Sequence, residues 1–189
     1  MRTFSLSLLA AVVLRFPALA QQAQAPKTFT LRSNDLGGQA TKTEEFNSFG
    51  CTGKNQSPEL NWANAPAGTK SFAVVMYDPD APTGSGWTHW VMFDIPASAT
   101  ELPTNAGKPA AGLAPKGAIQ SATSFGMPGF GGPCPPEGHG PHEYRFTVYA
   151  LKTDKLGLDA TATPAVVGYY LWQNTLAKAS FVSYYERKK

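Results

Sequence analysis

Two nearly unbroken apolar stretches stand out in the central part of the chain. Ser71–Asp78 ("SFAVVMYD") and His89–Pro96 ("HWVMFDIP") carry few polar residues, as expected of strands that are buried on both faces of a sheet. In Thr28–Ser33 and His142–Leu151 apolar and polar positions alternate, which is typical of half-buried strands. These four segments predict a fold rich in β-structure.

Turn-forming residues separate the predicted strands. The stretch Phe49–Thr69 is rich in turn residues, with one short strand expected near Leu60, and residues 97–142 carry much of the glycine and proline and are expected to be mostly loop. Pro164 suits the first position of a helix, so a helix is predicted over residues 164–179. The stretch 181–187 fits either a helix or a strand.

This pattern amounts to seven or eight strands, long loops and one C-terminal helix. It predicts a mostly β fold in which two antiparallel sheets pack as a sandwich, because a doubly wound parallel fold would need a helix after each strand. A length of 189 residues fits a single domain.

The beginning of the chain has the pattern of a secretory signal peptide. Arg2 supplies a positive start, Leu6–Leu14 is an apolar run too short for a permanent membrane span, and Ala18–Ala20 forms an A-x-A cleavage site. We expect residues 1–20 to be the signal peptide, residues 21–28 a flexible lead and residues 29–189 the folded domain. A disordered or amphipathic N-terminal arm is the alternative.

The charge balance gives no argument for nucleic-acid binding. The chain has 16 basic and 13 acidic residues, and removal of Arg2 and Arg15 with the signal peptide leaves a formal net charge of +1. Proteins that bind the phosphate backbone of nucleic acids are usually much more basic.

The stretch Tyr77–Trp90 ("YDPDAPTGSGWTHW") is the first candidate for chemistry. Asp78 ends a predicted buried strand, Asp80 follows two residues later, and His89 begins the next strand. A strand–loop–strand connection can return His89 to Asp78, where a carboxylate would set the tautomer of the imidazole and leave an N–H donor facing outward. Alternatively, both aspartates merely stabilise turns.

A second candidate cluster lies between Gly132 and Tyr144. His142 and Tyr144 alternate onto one strand face, and a tyrosine hydroxyl, an imidazole N–H and free backbone N–H groups together make an anion receptor. Tyr144 could instead be an ordinary core aromatic residue, and His139 is interpreted as a surface loop residue.

Sequence motifs for other chemistries are missing. We find no short metal-ligand spacing, no nucleophile elbow, no phosphate-binding loop and no dinucleotide fingerprint. No metal or cofactor is therefore expected, and a non-enzymatic protein is favoured over an enzyme.

Several segments together resemble the phosphatidylethanolamine-binding protein family, also called Raf kinase inhibitor-like proteins, in its bacterial and archaeal branch. They are "FGCTGKN", "SPELNW", "GTKSFAVVMYDPDAP", "GWTHWVMFDIP" and "FGGPCPPEGHGPHEYRFTVYAL". The resemblance runs from about Phe29 to Tyr185. It implies a two-sheet β-fold, C-terminal helical structure, and a small pocket for phosphate, phospholipid head groups or small carboxylates.

The resemblance also implies which residues form the pocket. Glu143 departs from the family, which commonly has arginine or lysine there, but it should face away from the pocket. A proton shared between Asp78 and the bound anion would avoid two facing negative charges. The predicted ligand-binding residues are Asp78, Asp80, His89, Gly132, Cys134, Pro136, His142 and Tyr144.

Two covalent features follow from the same resemblance as hypotheses. A cis peptide bond is expected between Ala81 and Pro82, where the chain must turn sharply between pocket residues. Cys51 and Cys134 could form a disulfide, because both lie in loops that the family places near the pocket and an exported protein meets oxidising conditions.

These observations predict a protein that is periplasmic or secreted and binds a small anion or a phospholipid head group without catalysing a reaction. One alternative is a protease inhibitor or signalling protein that acts through its surface on a protein partner that the sequence does not identify. Another is a hydrolase that uses Asp78 and His89.

Export can be tested directly on the protein made by its natural host. Because cleavage is expected after Ala20, N-terminal sequencing of that protein should begin at or near Gln21. An intact Met1 on protein recovered from the cytosol would contradict export.

Overall fold

A computed structural model describes residues 27–189, so the predicted signal peptide and most of the predicted lead lie outside the described residues. The described part contains eight strands, one α-helix and a short 3-10 turn at Pro109–Ala111. The elements are β1 (Thr30–Arg32), β2 (Leu60–Ala63), β3 (Ser71–Asp78), β4 (Trp87–Pro96), β5 (Glu101–Leu102), β6 (Ile119–Gln120), β7 (His142–Leu151), α1 (Pro164–Asn174) and β8 (Thr175–Tyr185).

The strands form two antiparallel sheets, as predicted. The large sheet has the order β6-β4-β3-β7-β8 and the small one β1-β2-β5. Strand β3 is the centre of the large sheet and pairs with β4 on one side and β7 on the other. Its unbroken apolar sequence follows from this position, because both of its faces are covered.

Apolar side chains cover both faces of the large sheet. One layer, which includes Trp62, Phe72 and Met76, lies between the two sheets, and a second layer packs beneath helix α1 through residues such as Phe93 and Leu171. The described residues include no helix with the length and hydropathy needed to cross a membrane.

The predicted C-terminal helix is shorter than expected. Its start is as predicted, with Pro164 in the first turn and the Thr163 side chain accepting from the backbone N–H of Val166. It ends at Asn174, however, and Thr175 already begins β8, which pairs with β7 along its length. A helix to residue 179 was wrong because this long-range pairing satisfies the backbone instead, and the ambiguous stretch that follows is a strand to Tyr185.

The prediction of a cis peptide bond between Ala81 and Pro82 is also wrong. All peptide bonds between residues 27 and 189 are trans. The turn is made in another way: a carboxylate oxygen of Asp78 accepts from the backbone N–H of Asp80 at 2.8 Å, and the carbonyl of Ala81 accepts from the N–H of Thr83 at 2.6 Å. A three-residue turn centred on Pro82 needs only the φ that a proline ring already has.

In the structure Cys51 and Cys134 form a disulfide, with their Cα atoms 6.0 Å apart. The bond joins two loops that are 83 residues apart in the chain. The Arg187 side chain supports the same junction, since it donates to the carbonyl of Gly50 at 3.0 Å and to that of Pro135 at 3.4 Å.

Loss of the disulfide should destabilise the protein. Replacement of Cys51 and Cys134 by serine removes a cross-link that closes a long loop, so the free energy of unfolding should fall by about 2–4 kcal/mol. Urea denaturation with and without reductant measures this, and the double-serine variant is the control that reductant should leave unchanged. Two freely labelled thiols in protein from the oxidising compartment would show that the bridge does not form.

Candidate functional site

A buried carboxylate lies at one end of the large sheet. Asp78 ends β3 and is 2% exposed. One of its oxygens lies 2.8 Å from Nδ1 of His142 and 4.0 Å from Nε2 of His89. The two histidines come from the strands on either side, β7 and β4, so the antiparallel pairing of three neighbouring strands brings the predicted Asp78, His89 and His142 together.

The unprotonated nitrogen of the His89 imidazole, Nε2, is the one that lies toward Asp78. The Nδ1 of this ring lies 2.7 Å from the carbonyl oxygen of Gly131, and because a carbonyl can only accept, Nδ1 carries the proton. Burial lowers the pKa of His89 to about 4, although the Gly131 carbonyl and the Asp78 charge act in the opposite direction. The ring is therefore neutral at pH 7, and the expected outward N–H donor is instead an acceptor, Nε2.

His142 connects Asp78 to the protein surface. Its Nδ1 donates to the Asp78 carboxylate, and its Nε2 lies 2.8 Å from Nδ1 of His139. His139 is exposed, as expected of a surface loop residue, but it is also the outer member of this hydrogen-bonded chain. The sequence signal that could have revealed the role of His139 is its position three residues before His142, with Gly140 and Pro141 between them.

The hydroxyl of Tyr144 is buried without a hydrogen-bond partner among residues 27–189. The residue has no exposed surface, yet it lines a cavity. Burial, then the negative charge of Asp78 and its nearness to the hydroxyl as an acceptor, raises the pKa of the phenol well above its ordinary value, while the nearby backbone N–H of Cys134 acts the other way. Tyr144 therefore keeps its proton and can donate it in a hydrogen bond.

The cavity beside these groups has a volume of about 180 Å³. This is smaller than the 300–1,000 Å³ typical of drug-sized ligand sites, so it suits a group such as phosphate or a carboxylate. Asp78, His89, His142 and Tyr144 lie at its polar end, and the predicted Cys134 and Pro136 also line it.

Three aromatic side chains, those of Phe49, Trp87 and Phe125, form another part of the wall, and the sequence analysis did not predict them. The ring of Phe125 packs edge-on against His89 and against Trp87, with centroids 5.4 Å apart in both pairs. Phe49 closes another part of the wall. Phe125 and Phe49 come from loops far from the polar residues in the sequence, so nothing in the local motif pointed to them.

Two predicted site residues lie outside the cavity wall. Asp80 is exposed, and its carboxylate accepts from the backbone N–H of Glu143 at 2.7 Å. Gly132 packs against the backbone, where an added Cβ would overlap the carbonyl oxygen of Glu44. Both residues hold the surrounding loops in place: Asp80 fastens the turn to β7, and Gly132 permits a close approach of two loops.

Glu143 pairs with Arg145 at the surface, so this departure from the family leaves the polar end of the cavity unchanged. Among residues 27–189 no group of three or more His, Cys, Asp or Glu side chains is arranged to hold a metal ion.

Comparison with protein families decides the classification. The model of the family described as phosphatidylethanolamine-binding protein matches residues 37–186. The chain belongs to the phosphatidylethanolamine-binding protein family. Residues that the family match covers include every side chain of the polar end of the cavity.

Bacterial and archaeal relatives are similar over most of the chain. YbcL of Escherichia coli is 48% identical over 184 residues, which cover 96% of this chain and 99% of YbcL. A protein of the archaeon Methanothermobacter thermautotrophicus is 40% identical over 153 residues, covering 77% of this chain and 97% of that protein. The predicted membership in the bacterial and archaeal branch is confirmed.

The fold is shared as well. The crystal structure of E. coli YbcL has a TM-score of 0.82 to this chain at 50% identity and covers 84% of this chain and 98% of YbcL. Another relative, the candidate lipoprotein LppC of Mycobacterium tuberculosis, is 36% identical over 138 residues, which are 73% of this chain and 64% of LppC.

The buried neutral state of His89 predicts how stability depends on pH. Its pKa is about 4 in the folded protein and near 6.5 in the unfolded chain. The unfolded state therefore binds more protons below pH 6.5, so the free energy of unfolding should fall by up to about 1.4 kcal/mol per pH unit as pH drops from 6.5 to 4. Urea denaturation at several pH values measures this slope.

The His89→Gln variant removes this titration and should show a shallower loss of stability in the same pH window. Lys116→Gln is the control, because Lys116 is exposed and lies outside the cavity. Parallel curves for the natural protein and His89→Gln would show that His89 is not buried in its neutral form.

Proposed function

We propose that the protein is an exported, non-enzymatic binding protein whose small cavity holds phosphate, a phospholipid head group or a small carboxylate. The buried hydroxyl of Tyr144, which lacks a partner among the described residues and lines the cavity, is the observation that carries this proposal. An unsatisfied buried hydroxyl costs about 1–3 kcal/mol, and an anionic oxygen would satisfy it with a strong, charge-assisted hydrogen bond.

The protons at the site decide which anions suit it. Asp78 is a carboxylate that already accepts from His142, and Nε2 of His89 is an acceptor at pH 7. A fully ionised anion would face two acceptors, whereas a ligand that brings a proton can donate to His89 or Asp78 while Tyr144 donates to it. Monohydrogen phosphate and protonated phosphate esters meet this condition.

The same arrangement argues against a hydrolase that uses Asp78 and His89. A general base of the Asp–His type needs the carboxylate to orient the imidazole through the nitrogen that does not react. In this structure Nδ1 of His89 bonds to the Gly131 carbonyl, and Asp78 instead bonds to His142. With a pKa of about 4, His89 is also a weak base at neutral pH, because general bases work best with a pKa near the working pH.

Export is supported by two observations. The relative LppC is described as a candidate lipoprotein, which would place that protein outside the cytoplasm. Cys51 and Cys134 are positioned as a disulfide, and disulfides persist mainly in oxidising compartments. A periplasmic or secreted location accommodates both the predicted signal peptide and this bridge.

Anion binding should strengthen as pH falls. A bound anion raises the pKa of His89 from its free value of about 4, so the complex holds more protons than the free protein, and the affinity should rise from pH 7.5 to pH 5. Sulfate, which carries no proton in this range, should bind only toward the acidic end, whereas phosphate should bind at neutral pH. Calorimetric titration of both anions measures these affinities.

Variants of the polar residues refine the test. Tyr144→Phe and His89→Ala should each weaken phosphate binding by about 1.5–3 kcal/mol, and Asp78→Asn should flatten the pH dependence more than it weakens binding. Tyr149→Phe is the matched control, since Tyr149 lies on the same strand but packs on the opposite face of the sheet. Binding that is flat with pH and indifferent to Tyr144 would favour the alternative of a protein that acts through its surface.

A further inference from the structure

A second cavity adjoins the anion cavity and is much larger, about 690 Å³. Phe49 and Phe125 line both cavities, so these two rings form the border between them. The larger volume falls in the range of sites for organic molecules, whereas the anion cavity does not reach that range. A ligand that occupies both cavities would pass along the two shared rings.

Neighbouring aromatic rings and a disulfide hold Phe49 at the border between the two cavities. Phe49 has a φ of +56°, which is rare for a bulky residue, and the residue is 69% exposed. The ring lies 5.6 Å from Phe46 and 5.8 Å from Phe125, centroid to centroid. Cys51, two residues further on, is tied to Cys134 of the anion cavity, so the disulfide keeps an unfavourable, exposed aromatic residue at this border.

The charged side chains that line the second cavity are both positive. Lys54 and Lys108 are the charged residues in its wall, and the wall contains no acidic side chain. Within residues 27–189 neither lysine forms an ion pair with an acidic group. The anion cavity, in contrast, is lined by Asp78 and by no lysine or arginine. The two lysines of the second cavity therefore supply positive charge that the anion cavity lacks.

We propose that the second cavity binds the organic part of the ligand whose acidic group occupies the anion cavity. The structure fits a flat apolar group that packs on Phe125 and Met127, with a second acidic group at its far end near Lys54 and Lys108. The ligand class is thus an aryl or similarly flat phosphate or carboxylate that carries two negative groups. This inference rests on the proposed function, because it assumes that the first acidic group binds beside Tyr144.

Three probes of increasing length test the proposal on the mature protein: inorganic phosphate, phenyl phosphate and 4-carboxyphenyl phosphate. At pH 5, where phosphate and both esters still carry a proton on the phosphate, phenyl phosphate should bind about tenfold or more tightly than phosphate, since burial of part of a phenyl ring is sufficient for such a gain. The added carboxylate should increase affinity again, and this second increment should shrink as salt is raised. Calorimetric titration gives the affinities and, with product analysis, shows that the esters are not hydrolysed.

Substitutions confined to the second cavity should separate the affinity gained from the phenyl ring from the affinity gained from the carboxylate. Met127→Ala should reduce the gain from the phenyl ring and leave the affinity for inorganic phosphate unchanged. Lys108→Gln should reduce the gain from the carboxylate only, and the double variant Lys54→Gln/Lys108→Gln should abolish it. Leu113→Ala and Lys116→Gln are the matched controls, because both residues are exposed and lie outside both cavities.

The outcomes distinguish this inference from the proposed function. If phosphate binds through Tyr144 but neither ester binds more tightly, the second cavity does not take the organic part and the proposed function stands. If the esters bind more tightly but Met127→Ala and Lys108→Gln have no effect, the ring lies elsewhere and the inference is overturned. If none of the three probes binds, both proposals fail.

Discussion

The hydrogen bond between Asp78 and His142 is the constraint on which the rest of the site depends. A carboxylate that is 2% exposed cannot remain ionised without partners, because the loss of hydration is large. His142 and the backbone N–H of Asp80 supply those partners. The same bond joins the end of β3 to the start of β7. Asp78 therefore hydrogen-bonds to His142 and not to His89, whose ring is fixed by the Gly131 carbonyl.

The consequence is a site in which the positions of the protons are set by the backbone and by neighbouring strands. Tyr144 is the side-chain donor that faces the cavity, and Nε2 of His89 is an acceptor. Under the proposed function, the affinity for an anion would depend on whether that anion brings a proton to these acceptors. The outer histidine, His139, gives the buried chain a contact with solvent, so proton exchange with bulk water does not require the strands to separate.

The sequence analysis predicted those parts of the structure that depend on local patterns. The apolar run of β3 and the alternation in β7 identified both strands and placed Asp78, His142 and Tyr144 at one end of the sheet. Interactions between distant segments account for the errors. Residues 175–179 read as helix because their pairing with β7 is not visible in the local sequence. Asp80 could not be separated from Asp78, since a turn of two residues does not show which carboxylate points inward. Phe125 reaches the cavity from a loop with no motif of its own, and Phe49 begins the "FGCTGKN" segment, whose local sequence does not show that its first residue lines the cavity.

The end of the chain contacts the loops that build the cavity wall. Arg187 donates to the carbonyls of Gly50 and Pro135, and the Lys189 side chain lies against Gly138. Any residues joined after Lys189 therefore begin next to the loop that carries Pro135 and Pro136. An affinity tag or reporter fused there would sit close to the mouth of the cavity and could compete with a ligand, whereas a label at the exposed Leu113 would leave the cavity accessible.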